Sequence, residues 1–152
     1  MVRKSSIALA GAALLSAALL AGCAGGQARV EALEAEGRSP ATASELIAFF
    51  SDTTERDKTD RGLDYAVYRA PDGEQRGLVT WSGGSEEDVG QWRVDEEEGI
   101  ICSRWERWRD GAERCYAVYL HDDRSVTWVG RVGTSRIFDS RHPVAQGNVA
   151  GL

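Results

Sequence analysis

The chain is short of the residues from which most active sites are built. Its 152 residues include two His, three Cys, three Pro and one Met. The His residues, His121 and His142, sit in an apparent turn and just before Pro143. No Gly-x-Ser-x-Gly elbow is present, so a nucleophile–base–acid constellation is not expected. No Gly-rich phosphate loop opens a helix, so nucleotide binding has no support. His121-Asp122-Asp123 and Glu96-Glu97-Glu98 are acidic runs without the alternating oxygen ligands of a calcium loop or the helical pair of a zinc site, and they read as solvated turns. No metal and no cofactor are expected. Positive charge is also scarce, with 18 Lys and Arg against 24 Asp and Glu and a net charge of −6. That excludes a broad phosphate-backbone surface, and no nucleic-acid partner is expected.

Long apolar runs are absent but for one. From Ile7 to Ala21 the chain is Ala and Leu interrupted only by Gly11 and Ser16, after Arg3 and Lys4. A positive end, a short apolar stretch and a small-residue junction describe a secretory signal rather than a membrane span, which needs about 20 apolar residues. The junction Leu20-Ala21-Gly22-Cys23 resembles the lipobox of bacterial lipoprotein precursors. The resemblance implies cleavage between Gly22 and Cys23 and lipid on Cys23, with the membrane as partner through that lipid. Two or more acyl chains hold a protein stably at a bilayer. Ala24 lacks the acidic character linked to inner-membrane retention. The expectation is therefore a cell-envelope protein, on the outer membrane facing the periplasm if the host has two membranes. Without the leader, 16 basic residues oppose 24 acids over 23–152, a charge of −8.

Three segments are expected: a signal peptide over 1–22, a flexible tether over 23–41 and one β-rich domain over 42–152. The tether is Ala-, Gly-, Gln- and Glu-rich, with only faint helical periodicity at Val30 and Leu33. Thr42-Ala43-Ser44-Glu45 reads as a capping box opening a short helix that buries one face through Leu46, Ile47, Phe49 and Phe50. Residues 52–61 read as a charged turn. From Gly62 the period becomes two, giving strands near 63–70, 75–82, 89–94, 100–105, 114–120, 125–132 and 135–139, with Pro71-Asp72-Gly73 as a turn. The fold class expected is mainly β: an antiparallel meander of six to seven strands curled into a small barrel or sandwich, with one N-terminal helix across an open end.

In an exported protein Cys102 and Cys115 read as a disulfide. A two-residue hairpin at Asp110-Gly111 would hold the two cysteines far out of reach. The bond requires Cys102 opposite Cys115 and a longer loop over 107–110. That register faces Arg104 with Glu113 and puts Ile101, Trp105, Tyr116, Val118 and Leu120 on the core side. It also places Trp108 in the loop between Arg107 and Arg109, where the three could form a recognition tip. Packing of Trp108 back over the hairpin with Arg stacked on it is the favoured alternative.

From Leu46 onward the chain also resembles small secreted proteobacterial domains of unknown function. The carriers are Phe49-Phe50-Ser51, Tyr68-Arg69-Ala70-Pro71-Asp72-Gly73, Gly90-Gln91-Trp92-Arg93-Val94, Cys102 with Cys115-Tyr116, and Gly147-Asn148 near the end. The resemblance implies a β-rich exported domain and brings no activity. The function expected is a non-catalytic binding or interaction module contacting an envelope protein, a glycan or a small apolar ligand. An envelope-polymer hydrolase using paired carboxylates and an inhibitor-type domain are the alternatives.

Overall fold

The structure, a computed structural model, describes residues 21–152, with side chains from residue 26 onward. Nearly all of the expected leader and the side chain of Cys23 lie outside the described residues. Two helices and nine strands follow in order: α1 Ala21–Ala35, α2 Ala43–Phe50, β1 Thr53–Lys58, β2 Asp64–Arg69, β3 Glu74–Trp81, β4 Gly84–Asp95, β5 Ile100–Trp105, β6 Arg114–Leu120, β7 Val126–Val132, β8 Ile137–Ser140 and β9 Ala145–Gln146. Every ladder is antiparallel, and the strand order is β8-β7-β6-β5-β4-β3-β2-β1-β9. The meander curls into a half-barrel.

The expected meander is present, but with nine strands rather than six or seven. β1 occupies the stretch read as a charged turn. Its inward residues are Thr53, Glu55 and Asp57, so its alternation carries no hydrophobic signal. β4 begins at Gly84 instead of Val89 for the same reason, because Glu86 and Asp88 take inward positions. β9 is a two-residue strand that extends the sheet beside Thr53 and Thr54.

The capping box forms as expected. The backbone N–H of Glu45 donates to Thr42 Oγ1 at 3.4 Å, and that of Thr42 donates to Glu45 Oε2 at 2.7 Å. The α2 helix thus directed inserts Leu46 and Phe50 among Ile101, Tyr116, Val118, Val126 and Trp128 on the inner face. Full burial of each such side chain contributes roughly 1.5–3 kcal/mol.

The tether expectation is corrected. Residues 21–35 form α1, and Leu33, wholly buried, packs with Ile100, Cys102, Cys115, Ala117, Tyr119 and Val129. The outer face of β5–β7 is therefore a second core, not a solvent face. One fully buried Leu with half-buried Val30 gives too narrow a stripe to stand out in an Ala- and Gly-rich segment. Two glycines permit the curl inside. A Cβ on Gly90 would lie 2.2 Å from the Arg104 carbonyl oxygen, and one on Gly77 would meet the Trp108 ring at 2.4 Å.

Candidate functional site

The curl leaves a cavity of about 700 Å³ on the inner face. Tyr65, Ile101, Trp105, Tyr116, Trp128 and Phe138 supply much of its apolar wall. They converge because β2, β5, β6, β7 and β8 each turn alternate residues inward. Trp128 stacks on Phe138 with centroids 6.1 Å apart, and Tyr116 meets both edge-on at 5.5 and 5.8 Å. The volume falls within the roughly 300–1,000 Å³ typical of small-molecule pockets, and charged residues such as Asp57, Lys58, Asp60, Arg61 and Arg136 share the lining with the aromatic rings.

A buried ion pair sits among these rings. Arg69 Nη2 donates to Glu55 Oε2 at 3.0 Å, with the two side chains 7 % and 3 % exposed. The Tyr65 hydroxyl donates to the other Glu55 oxygen at 3.1 Å. Burial and the neighbouring Glu55 push Tyr65 far above its ordinary pKa, so it remains a donor. The Arg69 guanidinium lies over the Phe50 ring at 5.0 Å and the Trp128 ring at 5.5 Å, which ties α2 to the sheet interior.

The end strand β8 and β1, which lies next to the other end strand β9, share no ladder. Side chains and loop backbone bring them together. Asp57 accepts from the Arg141 N–H and faces His142 Nδ1 at 3.4 Å, and Arg136 pairs with Asp60. Burial pushes Asp57 up, but the Arg141 and Lys58 N–H groups and His142 outweigh it and hold the carboxyl below its usual range.

The expected Cys102–Cys115 disulfide is present in the expected register, with Cα atoms 4.0 Å apart on β5 and β6. The Arg104–Glu113 pair is not formed. Glu113 turns to Arg93 at 3.1 Å, and Arg104 Nε donates to the Gly111 carbonyl at 3.0 Å. Trp108 folds back over the hairpin, 4.9 Å from Trp105, and its indole N–H donates to Glu86 at 3.0 Å. It forms part of the cavity rim together with Arg109. Arg107 is directed to Asp88 instead of stacking on the ring. Asp88 is the anchor of the loop, accepting from the N–H groups of Trp108 at 2.7 Å and of Arg107 and Val89 at 3.0 Å.

The two His residues are not brought to one site. His142 is at the β1 seam, whereas His121 Nε2 lies 2.9 Å from Thr127 Oγ1, which donates to Asp139 at 2.5 Å. His121 borders a separate open groove of about 440 Å³ with Arg29, Arg38 and Arg141. Among the described residues, the one cluster of potential metal ligands is Cys102, Glu113 and Cys115, whose sulfurs are bonded to each other. Sequence reasoning missed Glu55 and Arg69. The period-two run Tyr65, Val67, Arg69 was the available signal, since it puts an arginine on the inward register of β2. Among the described residues no helix is long and apolar enough to cross a membrane. No protein-family model matches the chain, and no curated protein is detectably similar to it.

Proposed function

We propose that the protein is a lipid-anchored binding module of the bacterial cell envelope that holds a small apolar ligand inside its half-barrel. The observation that carries the ligand reading is the cavity of about 700 Å³ whose inner wall is lined by Tyr65, Trp105, Tyr116, Trp128 and Phe138. The lipobox-like Leu20-Ala21-Gly22-Cys23 supports the anchor. With α1 in place of a flexible tether, six residues of helix lie between Cys23 and Val30, a rise of about 10 Å, so the body stays close to its lipid. The net acidity supports a ligand or protein partner over a polyanion.

The hydrolase reading has weaker support. A glycosidase acid needs a raised pKa. The carboxyls that shift (Glu45, Asp57, Asp88, Asp95 and Asp123) all shift down. Glu55 already accepts from Arg69 and Tyr65.

The neutral fluorophore N-phenyl-1-naphthylamine tests the pocket. Wild type should bind it saturably at one site per chain, and Val79→Trp, which places a large ring in the cavity lining, should weaken binding several-fold. Equal binding by that variant would remove the reading. For the anchor, Cys23→Ser should move the protein from the detergent phase to the aqueous phase.

A further inference from the structure

Two residues of the cavity lining, Arg69 and Trp128, carry buried hydrogen-bond donors without acceptors. An arginine carries five N–H groups on three nitrogens. Arg69 Nη2 donates to Glu55, but Nε and Nη1 have no partner among the described residues, although the side chain is only 7 % exposed. The Phe50 and Trp128 ring faces attract the cation but are weak acceptors for its N–H groups. The indole N–H of Trp128, on the same cavity, is also buried without an acceptor. The nearby carboxylate does not relieve them, since both Glu55 oxygens are already engaged, one by Tyr65 and one by Arg69. Buried polar groups are ordinarily partnered, so three orphaned donors on two residues that line one cavity point to an acceptor that is missing beside them.

Resting on the reading of the half-barrel as a ligand pocket, we propose that its ligand is an uncharged apolar molecule with a carbonyl-type acceptor, a ketone or an ester, whose oxygen takes the free N–H groups of Arg69 and Trp128. Charge decides against an acid. Glu55 already neutralises Arg69, and a carboxylate head would bring a second anion into a buried site. An ammonium head would add donors where donors are already in excess. The hydrocarbon part of the ligand lies against Ile101, Trp105 and Tyr116. The orphaned nitrogens lie buried behind the cavity wall, so the proposal requires that wall to relax for the carbonyl oxygen to reach them. Phe138, half-buried on the short edge strand β8, stacks on Trp128 in that wall.

Three ten-carbon probes separate the head groups: butylbenzene, butyrophenone and 4-phenylbutyrate. Each is titrated at neutral pH as a competitor of N-phenyl-1-naphthylamine. A purely apolar pocket prefers the hydrocarbon, because the ketone is the more water-loving of the two. The proposal reverses this order, with butyrophenone at least tenfold tighter than either of the others. Trp128→Phe keeps a ring and deletes one N–H, and should lower the ketone-to-hydrocarbon ratio several-fold. The double variant Glu55→Gln with Arg69→Met removes the ion pair without leaving a lone charge, and should bring the ratio to about one or below. If butyrophenone binds no tighter than butylbenzene, or 4-phenylbutyrate binds tightest, the proposal is overturned and the pocket stands. If the fluorophore itself fails to bind wild type, the pocket reading falls with it.

Discussion

The outer face of β5–β7 and the inner face of the same sheet solve burial in opposite ways. Outside, α1 lays Leu33 over Ile100, Ala117, Tyr119 and Val129, and a disulfide joins β5 to β6. That layer is apolar and cross-linked. Inside, α2 fills one end with Leu46 and Phe50, while the rest of the curl keeps a cavity and a buried Arg–Glu pair among aromatic rings. An empty volume forfeits dispersion contacts, and a buried ion pair is a weak source of stability. The outer face thus carries stability that the inner face gives up in favour of a pocket.

The sharpest way to break this contrast is on the inside. Glu55→Ala leaves Arg69 buried and uncompensated, and should destabilise the fold by about 3–5 kcal/mol in urea denaturation. Glu55→Gln with Arg69→Met should recover most of that loss. If the double variant is no better than the single one, the pair is a source of stability in its own right and the contrast fails. On the outside, Cys102→Ser with Cys115→Ser opens a loop of sequence separation 13 and should cost about 3 kcal/mol in the chain-entropy account. It should leave fluorophore affinity unchanged, because neither sulfur lines the cavity. Leu33→Ala, also outside, should cost about 2–3 kcal/mol and expose α1 to proteolysis ahead of the sheet.

Which parts of this arrangement could be read in the sequence follows the same division. The cysteine register was legible because disulfide geometry and strand spacing admit a single pairing across a hairpin. The α2 helix was legible because Thr42 and Glu45 stand at capping-box spacing ahead of an apolar run. β1 was not, since its inward residues include Glu55 and Asp57, and the partners that make burial of Glu55 tolerable, Arg69 and Tyr65, come from the next strand. α1 was hidden for a different reason: among its described side chains Leu33 alone is fully buried, and only the sheet supplies the face it needs. The direction of Trp108 depended on Asp88, twenty residues upstream, and on the missing side chain at Gly77.

Asp88 gives the mildest of these tests, at the cavity rim. Its carboxylate is 1 % exposed. Burial pushes its pKa up, but the N–H groups of Trp108, Arg107 and Val89, together with the Arg107 side chain, outweigh burial and leave it below the ordinary aspartate value. The folded state therefore favours the ionised form more than the unfolded chain does. Its contribution to stability is present above the unfolded pKa of about 3.9 and is lost as pH falls through the lower folded value. Asp88→Asn keeps the shape but replaces two charged acceptor oxygens by one neutral oxygen and an amide that donates. It should cost about 1–2 kcal/mol at neutral pH. The gap between wild type and variant should narrow as pH drops below about 4. Chemical denaturation of both proteins from pH 7 down to pH 3 reads this directly. A gap that stays constant over that range would mean that the loop holding Trp108 at the rim is fixed by packing on Trp105 and Gly77 rather than by the carboxylate.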